Sequence, residues 1–264
     1  MVAAAKLRRA QEAAENSRAY SEKLTALLQS LSTAPGAGSH PLLQPGAVAP
    51  PHAILVTADK GLCGGYNANL IRLTERFRAS EDGRDATLTV CGRRGRDHFR
   101  RIPGAIASEH VNVAGGADIQ LARTVAEEAT RRFVEGTCGA VYIIYARFRS
   151  AISQQATVER LLPISPDNDV ADGQENAALD YVYEPDATAI LDRLLPRYVE
   201  TRVYHGLLES AASEHGARMT AMDSATNNAS DMIDRLTLDM NRARQAGITT
   251  ELMEIVGGAE ALKG

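Results

Sequence analysis

Three glycines within five residues, Gly61, Gly64 and Gly65, lie in the stretch TADKGLCGGYNANL (57–70), directly after the apolar run AILV. A glycine turn between a strand and a helix can cradle a phosphate, because backbone N–H groups approach the anion closely and the helix N-terminus favours its charge. The phosphate-loop pattern G-x-x-x-x-G-K-[ST] requires a lysine and a hydroxyl after its last glycine. Here Tyr66 and Asn67 stand five and six residues after Gly61, and Lys60 precedes the glycines. The dinucleotide fingerprint G-x-G-x-x-G fails as well, since the spacing is G-x-x-G-G. A second turn, CGRRG (91–95), also follows a strand-like run without completing either pattern. Both are expected to be structural βα turns, with Gly61, Leu62, Cys63, Gly64 and Gly65 serving the fold rather than catalysis.

Other residue types offer little chemistry. Cys63, at the head of a helix, could be a reactive thiol, but the expectation is a small buried one. His98, His110, His205 and His215 have no metal-ligand spacing and are expected to be solvated or to lie in a helix seam. No serine stands in a G-x-S-x-G context. Glu127 and Glu128 read as the solvated side of a helix. No catalytic, cofactor-binding or metal-binding residue is therefore expected. Cys63, Cys91 and Cys138 are odd in number and far apart, which fits a reducing compartment rather than a disulfide framework.

Composition narrows the function class. The 264 residues are 44 % hydrophobic, enough for a core, and no apolar run approaches the ~20 residues that cross a bilayer. A net charge of −4 gives no basic footprint for nucleic acid, and 5 % aromatic content without Trp provides no stacking platform. The Arg- and Ala-rich start resembles a transit peptide, but Glu12, Glu15 and Glu22 argue against one, and it lacks the apolar core of a secretory signal.

The elements that hold these residues differ between the ends and the middle. Ala3, Leu7, Ala10, Ala14, Ser17, Ser21, Leu24, Leu28 and Leu31 alternate by four and three, a heptad seam with Lys6, Arg8, Arg9, Glu12, Glu15 and Lys23 off it. Leu208, Ala212, His215, Met219, Met222, Thr226, Ala229, Ile233, Leu236, Met240 and Ala243 keep the same alternation. The seam then moves one position through Ile248, Leu252, Ile255, Ala259 and Leu262. The 68 residues after Pro196 contain no proline and would form a helix of ~100 Å at 1.5 Å per residue. Such a rod needs a partner.

Residues 33–51 hold five of the ten prolines and read as an irregular connection. Strand-like runs follow at 52–58, 86–92, 140–148, 156–162 and 179–183. Helices are expected from Asn67 to Ala79, from Asp118 to Glu135 with Asp118 as cap, and from Asp186 to Leu195. The alternation predicts an α/β layer with a mostly parallel, Rossmann-like sheet inserted between terminal helices that pair as an antiparallel coiled coil. The expected boundaries are 1–32, 33–51, 52–195 and 196–264. Residue 31 would face the neighbourhood of 205 and residue 1 roughly 235, which leaves everything beyond about 240 without an intramolecular partner. Residues 168–177, NDVADGQENA, are expected to form a mobile loop.

Several motifs carry a closer resemblance: MVAAAKLRRAQEAAENSRAYSEKL, TADKGLCGGYNANL, LDYVYEPD, RYVETRVYHGLLESAASEHGARMTAMDSATNNASDMI and NRARQAGITTELMEIVGGAEAL. From first residue to last the chain resembles the γ subunits of F-type ATP synthases. The resemblance implies a central shaft whose terminal helices wind together inside a ring of α and β subunits. It implies an α/β foot beside the ε subunit and the c-ring. The γ subunit is the non-catalytic rotor that passes proton-driven rotation to ATP synthesis, with nucleotide held on the neighbouring chains and no cofactor of its own. By resemblance, Arg218, Arg244, Gln245, Thr249 and Glu251 contact the β subunits. Ile255, Val256, Ala259 and Leu262 form the tip that turns in an apolar sleeve. Tyr181 and Glu184 lie where the foot meets the c-ring and ε. The implied location is peripheral, on the cytoplasmic face of a bacterial inner membrane, without nucleic acid and without direct membrane insertion.

Family members begin about two dozen residues earlier, so a truncated chain, a misassigned start and a shortened γ all remain open. Two rival classes remain beside the rotor. One is an α/β enzyme or small-molecule-binding domain with a coiled-coil arm, and the other is an unrelated coiled-coil scaffold.

Overall fold

The apolar runs AILV, TLTVC and VYIIYARF lie in the inner strands of a five-stranded sheet in the computed structural model of the protein, which describes residues 2–32, 40–112, 118–165 and 187–261. The elements are α1 (Val2–Ser32), β1 (His52–Val56), α2 (Tyr66–Ala79), β2 (Thr87–Cys91), α3 (Arg93–Phe99), β3 (Ile106–His110), α4 (Ile119–Val134), β4 (Val141–Ser150), β5 (Ser153–Leu162) and α5 (Ala187–Ala261). The strand order is β3-β2-β1-β4-β5. The first four strands run parallel, and β5 returns antiparallel along β4. All five residues of β1 are buried, as expected for a central strand covered on both faces.

Alternation along the strands separates two cores. Ile54, Val56, Ile143 and Tyr145 face one side, with Val125, Ala129 and Phe133 of α4, Leu24 and Leu28 of α1, and α5 from Leu191 to Leu207. Ala53, Leu55, Ile144 and Ala146 face the other side, with Tyr66, Leu70 and Phe77 of α2, Phe99 of α3 and Ala217 of α5. Asp118 caps α4 as expected, its carboxylate accepting the Gln120 N–H at 3.0 Å. The proline-rich connection, described from residue 40, is irregular but anchored: Leu42 is buried and its carbonyl accepts the Ile164 N–H.

The heptad seam of α1 is inward as predicted. Leu7, Ala14, Leu24 and Leu28 are buried, while Lys6, Arg8, Arg9, Glu12, Glu15 and Lys23 are exposed. α1 runs antiparallel to α5, since Leu24 and Leu28 join the core around Leu191–Leu207 while the charge of Lys6 acts on His215. Contacts divide the chain into one unit, Met1–Thr220, and a second, Ala221–Gly264.

Three expectations need correction. Pro196 does not separate a short helix from a long one but lies inside α5, which therefore starts at Ala187 rather than 196. A proline lacks one N–H and crowds one carbonyl; the burial of Leu191, Leu195 and Val199 around it compensates for that. Second, the predicted pairing register was off. From Met222 onward almost every described residue of α5 is exposed, so the uncovered stretch starts near 221 and not near 240. The cause is that the C-terminal part of α1 packs into the α/β core instead of continuing along the helix seam. Third, α3 and β3 were not foreseen, because RRGRDHF is polar and IASEH is a half-covered edge strand without an apolar run. The strand-like run at 179–183 and the loop at 168–177 lie outside the described residues.

Candidate functional site

In the glycine turn, Leu62 and Gly64 take positive φ (62° and 54°), which bends the chain from β1 into α2. Asn67 closes the turn: its side-chain oxygen accepts the Ala58 N–H at 2.9 Å, and its amide donates to the Cys63 sulfur at 3.2 Å. The second turn locks onto the first. Asp59 Oδ1 accepts the N–H of Arg93 at 3.0 Å, and Thr57 Oγ1 accepts that of Gly95 at 3.0 Å. Gly92 has φ +107°, and a Cβ there would lie 2.1 Å from the Thr57 carbonyl oxygen. Asp59 and Thr57 thus tie the two turns together. Cys63 is buried, and burial pushes its thiol above the ordinary range. That makes it a weak nucleophile, as expected from the sequence. An open groove of about 410 Å³ beside the turn is lined by Leu62, Ile71, Arg94, Asp97, His98 and Arg101.

Doubly wound sheets bind ligands outside the carboxyl ends of the strands where the strand order reverses. In this chain that point lies between β1 and β4. α5 occupies it. Ser213 Oγ donates to the Ala146 carbonyl at 2.9 Å, and the Ala146 N–H donates to Ser210 Oγ at 3.2 Å. The Phe148 N–H donates to Glu209 Oε2 at 2.6 Å. From β1's side, Arg218 donates to the Gly61 carbonyl at 3.3 Å, and Tyr66 Oη donates to the Ser210 carbonyl at 3.2 Å. Gly206 and Gly216 permit this approach, since a Cβ on either would come within 2.6 Å of Ile143 or 3.3 Å of Ala151.

Several of the described titratable side chains are tied into hydrogen-bonded networks. His52, unremarked in the sequence, is fully buried and bonds Thr87 Oγ1 at 2.8 Å and Thr89 Oγ1 at 2.9 Å. Burial, helped by the Arg132 charge, lowers its pKa to about 4. The line continues from Thr89 to Ser108 and from Ser108 to Glu128. Glu128 is therefore not a solvated helix side chain as expected, whereas Glu127 is exposed. Burial raises the Glu128 pKa, but bonds from Ser108 and Arg132 outweigh it and hold the group below the usual carboxylate range. His98 pairs with Glu75, and His205 lies 3.7 Å from Glu209. His215 lies half-buried in the seam, where burial lowers its pKa. Among the described residues, no group of three His, Cys, Asp or Glu side chains could hold a metal ion.

The residues singled out by resemblance fall into different settings. Arg218 belongs to the first unit, where it also pairs with Glu214 at 2.6 Å. Arg244, Gln245, Thr249 and Glu251 are exposed on α5 within the second unit. At 100° per residue, Arg244 and Glu251 share one helix face, and Gln245 and Thr249 share another. Met232, Ile233, Leu236, Met240, Ile248 and Leu252 lie exposed on the same helix, each more than half accessible. Ile255, Val256 and Ala259 are exposed as well. Leu262, Tyr181 and Glu184 lie outside the described residues. Sequence reasoning missed Glu209, Ser210 and Ser213, although Gly206-Ser210-Ser213-Gly216 is a legible row of small residues on one helix face.

A family model described as ATP synthase matches residues 1–262. An ATP synthase gamma chain of Moorella thermoacetica is 50 % identical over 263 residues, covering 100 % of this chain and 91 % of its own length. One from Pelotomaculum thermopropionicum is 46 % identical over 266 residues, covering 99 % of this chain and 91 % of its own. Among solved structures, a chain of the central stalk and c-ring of Tetrahymena thermophila mitochondrial ATP synthase aligns with a TM-score of 0.64 at 25 % identity, over 86 % of this chain and 96 % of that one.

Proposed function

Since the chain belongs to the ATP synthase gamma-chain family, we propose that it is the central-stalk rotor that carries proton-driven rotation of a c-ring to the catalytic sites of an α/β ring. The observation that carries this reading is α5 itself: one helix of 75 residues whose last part exposes a long series of large apolar side chains. Soluble proteins seldom leave such a surface uncovered, and surrounding subunits would cover it. A rotor in this place also needs a different face toward each catalytic neighbour, so that one angle favours one nucleotide state.

The chain supplies no chemistry in this reading. Nucleotide is held by the α and β subunits, and the crevice where a doubly wound fold would take a ligand is filled by α5. Arg244, Gln245, Thr249 and Glu251 are the proposed polar contacts to β-subunit loops. Arg218 joins them through whatever bonding capacity its Glu214 and Gly61 contacts leave. Ile255, Val256, Ala259 and Leu262 form the apolar tip, and Tyr181 and Glu184 the foot contact to c-ring and ε. The complex would place the chain on the cytoplasmic face of a bacterial inner membrane. Bacterial relatives support that, and no described helix is long and apolar enough to cross a membrane.

Co-expression with α, β, ε and the membrane sector tests the reading. A tagged chain should recover α and β in stoichiometric amount, and the complex in liposomes should acidify the lumen on ATP addition. Recovery of the chain without α and β, or nucleotide hydrolysis by the chain alone, would overturn it.

A further inference from the structure

β4 outruns its neighbour. Its parallel pairing with β1 ends at Leu55↔Ile144, yet the strand continues to Ser150 beside β5. The backbone groups of Ala146 and Phe148 that face β1's side therefore pass the end of that ladder and need other partners. They receive them from one face of α5: Ser210 and Ser213 for both groups of Ala146, and Glu209 for the N–H of Phe148. About two turns further on, Thr220 donates to the Ala151 carbonyl at 3.0 Å. Glu209, Ser210 and Ser213 are each buried.

We infer that Glu209, Ser210 and Ser213 are the torque joint of the rotor, a row of directional bonds that fixes α5 against turning or sliding on the sheet. The inference rests on the rotor function proposed above and adds a residue-level mechanism to it. Apolar packing is non-directional, so a helix held by it alone can creep around its axis when its free part is resisted. Hydrogen bonds from side chains to a strand backbone fix both angle and axial position, and a bond to a carboxylate is about twice as strong as a neutral one. The three residues lie within the first unit, upstream of the point where α5 leaves it, so torsion applied to the sheet enters the helix through them. Gly206 and Gly216 bracket the row and set the short spacing the bonds need.

The test compares wild type, Glu209→Ala, Glu209→Gln and the double variant Ser210→Ala/Ser213→Ala. Each is assembled with α, β, ε and the membrane sector in liposomes, and each isolated chain is examined by amide hydrogen exchange. With Glu209→Ala, the Phe148 amide should exchange about tenfold faster, the complex should still hydrolyse ATP, and proton uptake per ATP should be lost. Glu209→Gln keeps an oxygen acceptor and should restore uptake, which a loss of charge alone would not allow. If Glu209→Ala does not assemble, Ser213→Ala, which removes only one oxygen, is read in its place against the same outcomes. Faster exchange with wild-type uptake per ATP would reduce the row to ordinary packing and overturn the inference, as would unchanged exchange. A wild-type complex that hydrolyses without uptake would instead overturn the rotor function, and the joint with it.

Discussion

His52 opens the central strand β1 with both ring nitrogens bonded to threonine hydroxyls, where burial and the Arg132 charge outweigh the attraction that Glu128 would offer a charged imidazole. The unfolded chain binds a proton there from about pH 6.5 downward, and the folded chain only near about 4. Stability should therefore fall as pH drops through that window, by about 3 kcal/mol in total, and be unaffected above it. Urea denaturation between pH 7 and 4 should show this slope in the wild type, and His52→Gln should flatten it. Gly92 offers a second check at this scale. With φ +107° and a Cβ position 2.1 Å from a carbonyl oxygen, Gly92→Ala should cost about 3 kcal/mol or more in the same assay. At the residue scale the sequence was a good guide to the burial of Cys63 and to the glycine turn between β1 and α2. Cys63 is buried and the glycine turn is closed on itself. It was a poor guide to Glu128 and His52, because their environment is made by residues that come together only through strand pairing.

Elements were legible in proportion to how apolar they are. β1, β2, β4 and α4 announced themselves as continuous or periodic apolar runs, and the α1 seam predicted the buried positions Leu7, Ala14, Leu24 and Leu28. The edge strand β3 and the short helix α3 carry no such pattern. α5 was recognised but misplaced at its start, since a proline is a local signal that tertiary packing around Leu191 and Leu195 overrides. Among the described side chains, Leu7, Ala14, Leu24 and Leu28 are the buried apolar positions of α1. Leu28→Ala, at a residue 2 % exposed in the main core, should lower unfolding free energy by about 2–4 kcal/mol. Limited proteolysis of the same variant should cut α1 first, while strands β1 to β4 stay protected.

At the scale of the whole chain, the described residues of the second unit carry a series of exposed large apolar side chains. Ile233 and Leu236 are about 60 % exposed, so Ile233→Asp/Leu236→Asp should leave the melting temperature of the isolated chain unchanged within about 2 °C. The same pair should abolish recovery of α and β subunits in the tagged pull-down. The seam itself was visible in the sequence, but the register was not. A heptad says which side of a helix is sticky, not which residue of another helix it meets. The register follows from where each helix meets the α/β core: α1 packs into it through Leu24 and Leu28, and α5 bonds to β4 through a row whose signature is glycine and serine rather than any apolar repeat.

That attachment has a consequence for how the chain is made. Every strand of the sheet has been translated once Leu162 is in place, yet the bonds to Ala146 and Phe148 come from residues 61 to 67 positions later. As the polypeptide leaves the ribosome, the sheet therefore waits with bare backbone groups and an open cleft until residue 213 emerges. A stretch of α5 that is made after all five strands thus completes the backbone pairing of β4.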